Sequence, residues 1–180
     1  MEDWSIGKSA AITDLGMCIN HYRLHTVGLF ACIRARVKIG DQFLTPDMIV
    51  VINVGKHKQC SPNFNENYFD GPPNFILDVY DQSDIKSIKE RKATYASSGV
   101  LEYLVVREDF SRIEWNRLQN GKYKALKPDK DGITRSKALL GLWIPIPALQ
   151  KRDFWAVMAS IDQGITRREH HELMDTIWNK

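Results

Sequence analysis

Asn74-Phe75-Ile76-Leu77-Asp78-Val79-Tyr80 is the stretch that decides the fold. A short apolar run of this kind, rich in branched and aromatic residues, suits a strand buried on both faces. Asp78 does not belong there on composition alone. A carboxylate in a central strand is costly unless something pairs with it. Strand alternation puts Ile76, Asp78 and Tyr80 on one face. Residues 53 to 74, just upstream, are polar and rich in Asn, Pro and Gly, and read as a loop. Before that loop, Thr45-Pro46-Asp47 leads into Met48-Ile49-Val50-Val51-Ile52, a second fully apolar run. Asp47 stands at its mouth. If the two strands are neighbours, their carboxylates converge at one end of the sheet, and a hard divalent cation would relieve the repulsion. Taken singly, Pro46-Asp47 reads equally well as a turn, and Asp78 as a loop cap or an arginine's partner. The pair is what favours a site.

Outward from Asp78, residues Asp84 to Ser98 read as a helix closed by Gly99. Ile85, Ile88 and Tyr95 form its apolar stripe. At about 100° per residue, Lys92 falls in the middle of that stripe, Lys89 near its edge and Lys86 well off it. Lys92 is therefore expected to face the sheet near Asp78, where it would hold a scissile phosphate or orient water. The plainer account is a lysine whose stem covers apolar surface. Leu101 to Val106 reads as a third buried strand. Arg112 to Leu118 and Lys122 to Leu126 flank Asn120-Gly121, a hairpin signal.

Toward the N-terminus, Ile12, Leu15, Ile19 and Tyr22 sit at helical spacing within a helix from about Lys8 to Val27, ended by Gly28. Leu29 to Lys38 alternates with period two and predicts one half-buried strand. Its polar face carries Arg34, Arg36 and Lys38, which are either solvated or meet a phosphate backbone; Lys89 is a further basic candidate for nucleic-acid contact. Leu139 to Leu149 is apolar with two prolines and reads as a strand or extended segment. Two helices, about 151–162 and 166–178, finish the chain; Gly164 separates them and Thr166 caps the second. The expected architecture is a mixed α/β domain over residues 1–150, with a C-terminal helical pair at 151–180 packed on it.

The bulk numbers agree with a single domain. The chain has 180 residues, 43% hydrophobic and 26% charged, so extensive disorder is not expected. A net charge of +3 neither requires nor opposes a nucleic-acid partner. Cys18, Cys32 and Cys60 form no zinc-type spacing and read as reduced thiols of a cytoplasmic protein. The N-terminus has no apolar signal core, and no apolar run is long enough for a bilayer. Asp129-Lys130-Asp131-Gly132 lacks the later acid of a calcium loop and reads as a turn. His170-His171 reads as a solvated helix face, because adjacent helical residues do not face each other.

With Pro46-Asp47, then Asp78-Val79-Tyr80, then a basic helix residue, the chain resembles the PD-(D/E)xK nuclease superfamily. Tyr95-Ala96-Ser97-Ser98-Gly99-Val100-Leu101-Glu102-Tyr103 resembles the signature of the Uma2 (Uma-two) family of restriction endonucleases, in which a helix ending Y-x-x-x-G-V is followed by x-E-Y-W and a buried strand. Pro73 to Val79 matches that family's acidic strand with Asp for Glu, and Gly141-Leu142-Trp143 resembles a later segment. The likeness spans about residues 28 to 150. It implies a restriction-endonuclease-like fold and Mg²⁺-dependent (or Mn²⁺-dependent) hydrolysis of DNA, with Asp47 and Asp78 as metal ligands, in a possible homodimer. This sequence departs from the pattern in places. Tyr80 occupies the usual lysine position. The family's helix lysine falls on Lys92 counting from Asp78, and on Arg91 counting back from Tyr95. Lys92 is preferred because the stripe turns it inward, and because arginine stays protonated. Leu104 replaces the tryptophan, Arg107 stands for a usual aspartate, and the chain starts almost at its first helix, with Glu2 and Asp3 as poor substitutes for an earlier acid. These departures leave a second expectation, a catalytically inactive nuclease fold that binds nucleic acid or a protein partner.

Overall fold

The computed structural model describes residues 4–178. The chain runs α1 (Ile6–Leu24), β1 (Leu29–Ile33), β2 (Val37–Ile39), β3 (Gln42–Leu44), β4 (Met48–Ile52), β5 (Ser61–Asn63), β6 (Tyr68–Asp70), β7 (Phe75–Tyr80), α2 (Ile85–Ser97), β8 (Glu102–Arg107), β9 (Ile113–Gln119), β10 (Lys122–Ala125), β11 (Ile133–Arg135), β12 (Trp143–Pro145), α3 (Ile146–Gln150), α4 (Phe154–Ile165) and α5 (Arg168–Trp178).

A six-stranded mixed sheet, in the order β1-β4-β7-β8-β9-β10, is the centre of the molecule. Two of its four inner strands, β4 and β7, are the apolar runs that flank the polar stretch 53–74, and every residue in both is buried. They pair antiparallel. β7 and β8 pair parallel, so a crossover must join them, and α2 supplies it. Helices cover both faces, which is why neither strand alternates with polar residues. On one face α1 packs Ile12, Leu15, Ile19 and Tyr22 against Met48, Val50, Phe75, Leu77 and Val79. On the other, Ile85, Ile88 and Tyr95 of α2 lie over Ile49, Val51, Ile76, Tyr103 and Val105. Helices α4 and α5 add Val157, Ile161, Leu173 and Ile177 to the α1 cluster. The C-terminal helices thus share the main core.

Several expectations need correction. Gly164 lies inside α4, and Thr166 ends α4, its hydroxyl donating to the Gln163 carbonyl, instead of capping α5. The segment read as strand or extended at 139–149 gives β12 and then the short helix α3. Leu29 to Lys38 is not one strand. It stops at Ile33 because Arg34 takes a left-handed φ of 52°, a turn that hydropathy patterning does not reveal. The chain then leaves the main sheet for a second one, ordered β3-β2-β6-β5. Arg34, Arg36 and Lys38 therefore do not line one strand face. The predicted loop at 53–74 contributes β5 and β6 to that second sheet. His170 is buried and contacts Thr26 Oγ1 at 2.9 Å, because α5 folds back onto the end of α1. Among the described residues the three cysteines form no disulfide, and no helix is long and apolar enough to cross a membrane. Asp129 closes the expected turn through the N–H groups of Asp131 and Ile133.

Candidate functional site

The register Met48–Leu77 between β4 and β7, carried one residue further, sets Asp47 opposite Asp78. Their carboxylates cross over. Asp78 Oδ1 accepts the Asp47 N–H at 2.9 Å, and Asp47 Oδ2 accepts the Val79 N–H at 2.8 Å. Each side chain thus satisfies a backbone donor of the other strand where the ladder ends. The clasp is nearly closed to solvent, with Asp78 at 0% and Asp47 at 4% exposure.

Two cations accompany the pair. Lys8, in the first turns of α1, places Nζ 3.2 Å from Asp47 Oδ2. Arg91 of α2 places Nη1 3.5 Å from Asp78 Oδ1. Two phenols complete the surroundings. Tyr103 donates its hydroxyl to Asp78 Oδ2 at 2.9 Å, and Tyr95 approaches the same oxygen at a looser 3.4 Å. Their rings meet edge to face, 5.0 Å between centroids. Burial, and then the like charge of Asp78, push Asp47 above the usual carboxylate range; Lys8 and the Val79 N–H pull it back. Burial works against the Arg91 charge, but the carboxylate of Asp78 and its neighbours more than offset this, so Arg91 titrates above its ordinary value. Burial and the Asp78 charge raise both tyrosines, which stay protonated as donors.

Asp47 and Asp78 are brought together as the sequence predicts. Lys92 does not join them. It does turn toward the sheet, but over β9, where its ammonium pairs with Glu114. Arg91, the residue reached by counting back from Tyr95, is the cation beside Asp78. Helical angle was legible in the sequence; the strand lying under each turn was not. Lys89 is exposed and lines a shallow surface groove with Lys92 and Lys122. The guanidinium of Arg34 lies 5.0 Å from the Trp4 ring, and that of Arg36 lies 3.7 Å from Phe43. Lys38 sits about equally near Phe43 and Tyr68. None of these three is paired with the two aspartates.

Sequence reasoning missed Lys8 and the role of the two tyrosines. Tyr95 was legible only as part of an apolar stripe, and Tyr103 only as a motif letter. Their shared face with Ile76 was the available signal. Glu102, another letter of that motif, serves structure. Trp115 and Ser136 donate to its Oε2, and the N–H groups of Lys137 and Ala138 donate to its Oε1.

The aspartates suit a hard divalent cation in kind. Magnesium is satisfied by one or two carboxylates completed by water and phosphate oxygens. Among the described residues Asp47 Oδ1 accepts no hydrogen bond and is the oxygen most open to a cation, while Asp78, whose oxygens both meet donors, would join a cation by giving up its 3.5 Å contact with Arg91. The repulsion felt by Asp47 is the stress a cation would relieve. Among the described residues no third His, Cys, Asp or Glu joins them, and Glu2 and Asp3 lie outside the described residues. The group of His, Cys, Asp or Glu ligand atoms lying within 4.8 Å of one another, among the described residues, is His21, His25 and Asp162. That group joins the end of α1 to α4, and His21 Nε2 lies 2.6 Å from Asp162 Oδ1 at the surface.

A model of the Uma2 family, described as "Putative restriction endonuclease", matches residues 8–147. No curated protein matches the chain. Among solved structures, one described as "a putative nuclease belonging to DUF820 from Anabaena variabilis" is similar with a TM-score of 0.64. Identity to it is 15%, over 84% of each chain, a likeness that speaks to fold. The mixed sheet with helices on both faces agrees with the restriction-endonuclease-like fold.

Proposed function

We propose, from the premise that this chain belongs to the Uma2 family of restriction-endonuclease-like proteins, that it hydrolyses phosphodiester bonds in DNA using Mg²⁺ or Mn²⁺ held by Asp47 and Asp78. The observation that carries the proposal is the crossed aspartate clasp with Lys8 and Arg91 against it. Two acids and two cations at one strand end are the groups needed to hold a metal-bridged phosphate. The bound cation would activate water and stabilise charge on the phosphate oxygens.

The chain's own residues divide the remaining work. Arg91 keeps its proton and offers a fixed fork of donors to a phosphate. Lys8, with Nζ 3.2 Å from Asp47 Oδ2, is placed to orient the attacking water through its N–H donors. Tyr95 and Tyr103 hold the Asp78 carboxylate in place. Lys92, tied to Glu114, is assigned with Lys89 to the approach of the nucleic-acid backbone rather than to the reacting phosphate. A homodimer would let two such sites reach both strands of a duplex, and the unpaired thiols suit the cytoplasm.

The test is cleavage of single- and double-stranded DNA with Mg²⁺ or Mn²⁺. Cleavage should disappear with chelator and fall at least about a hundredfold in Asp47→Asn and Asp78→Asn. Undiminished cleavage by both variants would overturn the proposal.

One observation favours a second reading, a nuclease fold that binds nucleic acid without cutting it. Lys8 and Arg91 already neutralise the two aspartates, and arginine stands where a lysine would be exchangeable. Calorimetry separates the two readings. Mn²⁺ binding that is lost in Asp47→Asn supports hydrolysis, and no binding at millimolar Mn²⁺ supports the inactive domain.

A further inference from the structure

A pocket of about 420 Å³ opens between the main sheet and the second sheet. Strand β1 supplies Phe30 and Cys32 to its wall; the kink after β1 supplies Arg34, Ala35 and Arg36; β5, β6 and their connection supply Phe64, Tyr68 and Phe69. The lining combines the aromatic rings of Phe30, Phe64, Tyr68 and Phe69 with the side chains of Arg34 and Arg36. Phe30 anchors it, with edge-to-face contacts to Phe69 and Phe64 at 5.7 and 6.3 Å. Phe64 is 78% exposed. An aromatic ring displayed this openly at the mouth of a cavity does not serve the core.

The pocket also adjoins the aspartate site. β1 is hydrogen-bonded to β4, with Ile33 opposite Met48, and the Arg34 N–H donates to the Asp47 carbonyl at 3.0 Å. Arg34 and Lys8 both lie near the Trp4 ring, at 5.0 and 6.0 Å. Trp4 is thus a shared neighbour of Arg34, which lines the pocket, and Lys8, the cation on Asp47. Two residues shaping this region, Arg34 and Asn67, have left-handed φ values of 52° and 59°. Such backbone is unfavourable for side chains larger than glycine and is often retained where shape serves binding.

Resting on the proposed nuclease reading, we propose that this pocket receives an unstacked nucleobase of single-stranded nucleic acid, with Phe64 as the stacking platform and Arg34 and Arg36 meeting the adjoining phosphates. Its volume is within the range of small-molecule sites. Base–aromatic stacking beside a basic groove is the general physical means of holding single strands without reading sequence. Glu66, also in the lining, would repel phosphates and leave them to the arginines. The placement would deliver a strand to Asp47 with one base held out of the stack. It makes single-stranded or locally opened nucleic acid the preferred substrate class.

Fluorescence anisotropy with a labelled oligothymidine and a labelled duplex, both in chelator, tests binding apart from cleavage. Tighter binding of the single strand is expected. Phe64→Ala and Arg36→Ala should each weaken it roughly tenfold, while Phe64→Trp, which keeps a stacking surface, retains it. Phe64 lies outside the buried core, and a thermal melt of each variant checks that folding is intact. Equal binding of strand and duplex, or unchanged binding by Phe64→Ala, overturns the proposal. Phe64-dependent binding in a protein that cuts no DNA leaves the pocket standing and removes hydrolysis. Cleavage with no dependence on Phe64 does the reverse.

Discussion

Asp47 and Glu102 are both buried acids, and the structure uses them oppositely. Glu102 accepts four donors from Trp115, Ser136, Lys137 and Ala138. Burial pushes it upward, and these hydrogen bonds pull it back. Glu102→Gln sets an amide NH₂ against backbone N–H donors, so urea unfolding should show a loss of about 2–3 kcal/mol. Asp47 is less well satisfied and carries a like charge at its side. Its folded pKa lies above the unfolded value, so the native state binds its proton more tightly. By linkage, this group's contribution to stability falls as pH rises from about 4 through the raised folded value. The stability of Asp47→Asn relative to the parent should therefore climb with pH across that window and then level off, as followed by urea unfolding at a series of pH values. Metal ions should recover part of the parent's loss above the window. The aspartates were legible in the sequence as a pair, because two carboxylates at the mouth and in the middle of neighbouring apolar strands are costly unless something pairs with them, and Glu102 was legible only as a motif letter. Their division into a clasp and a structural tie was not, because it depends on donors brought from distant parts of the chain.

At the scale of elements, α2 and its exit explain the motif that carried the family likeness. Gly99 takes a φ of 88° and ends the helix, and Val100 returns a hydrogen bond to the Tyr95 carbonyl at 3.1 Å. The chain then enters β8 beside β7, which sets Tyr95 and Tyr103 against the same Asp78 oxygen. The sequence showed this helix, its stop and its apolar stripe. It did not show that Arg91 overlies β7 while Lys92 overlies β9. One residue is about 100° of helix, and that angle has meaning only once the sheet beneath is known. Arg91→Lys keeps a charge near Asp78 but loses the fork; we expect single-strand binding at low salt to change by less than threefold and Mn²⁺ affinity to rise, read by calorimetry. A second contact is steric. A Cβ on Gly164 of α4 would collide with the Gly141 carbonyl, at a residue that itself has a φ of 93°. Gly164→Ala should cost about 1–3 kcal/mol through overpacking, seen as a lowered melting temperature.

For the whole molecule, α4 and α5 belong to the core that α1 and the main sheet build. Removing residues 151–180 would strip away Val157, Ile161, Leu173 and Ile177, a loss of roughly 6–12 kcal/mol of apolar burial. That equals the stability of an ordinary domain, so the truncated chain should show no cooperative thermal transition by circular dichroism. The sequence by itself determined the local features: which runs are strands, where two acids interrupt them, and which helix face is apolar. These depend on periodicity and on the cost of burying charge, both written in neighbouring residues. Only the tertiary structure decided that Arg34 breaks a strand pattern, that residues 53–74 build part of a second sheet, and that Lys8 and Arg91, not Lys92, meet the aspartates. Those outcomes depend on strand register and on which surfaces approach across long sequence separations. No local pattern encodes them, because hydrogen bonds and ion pairs of this kind form between groups that are neighbours only after folding.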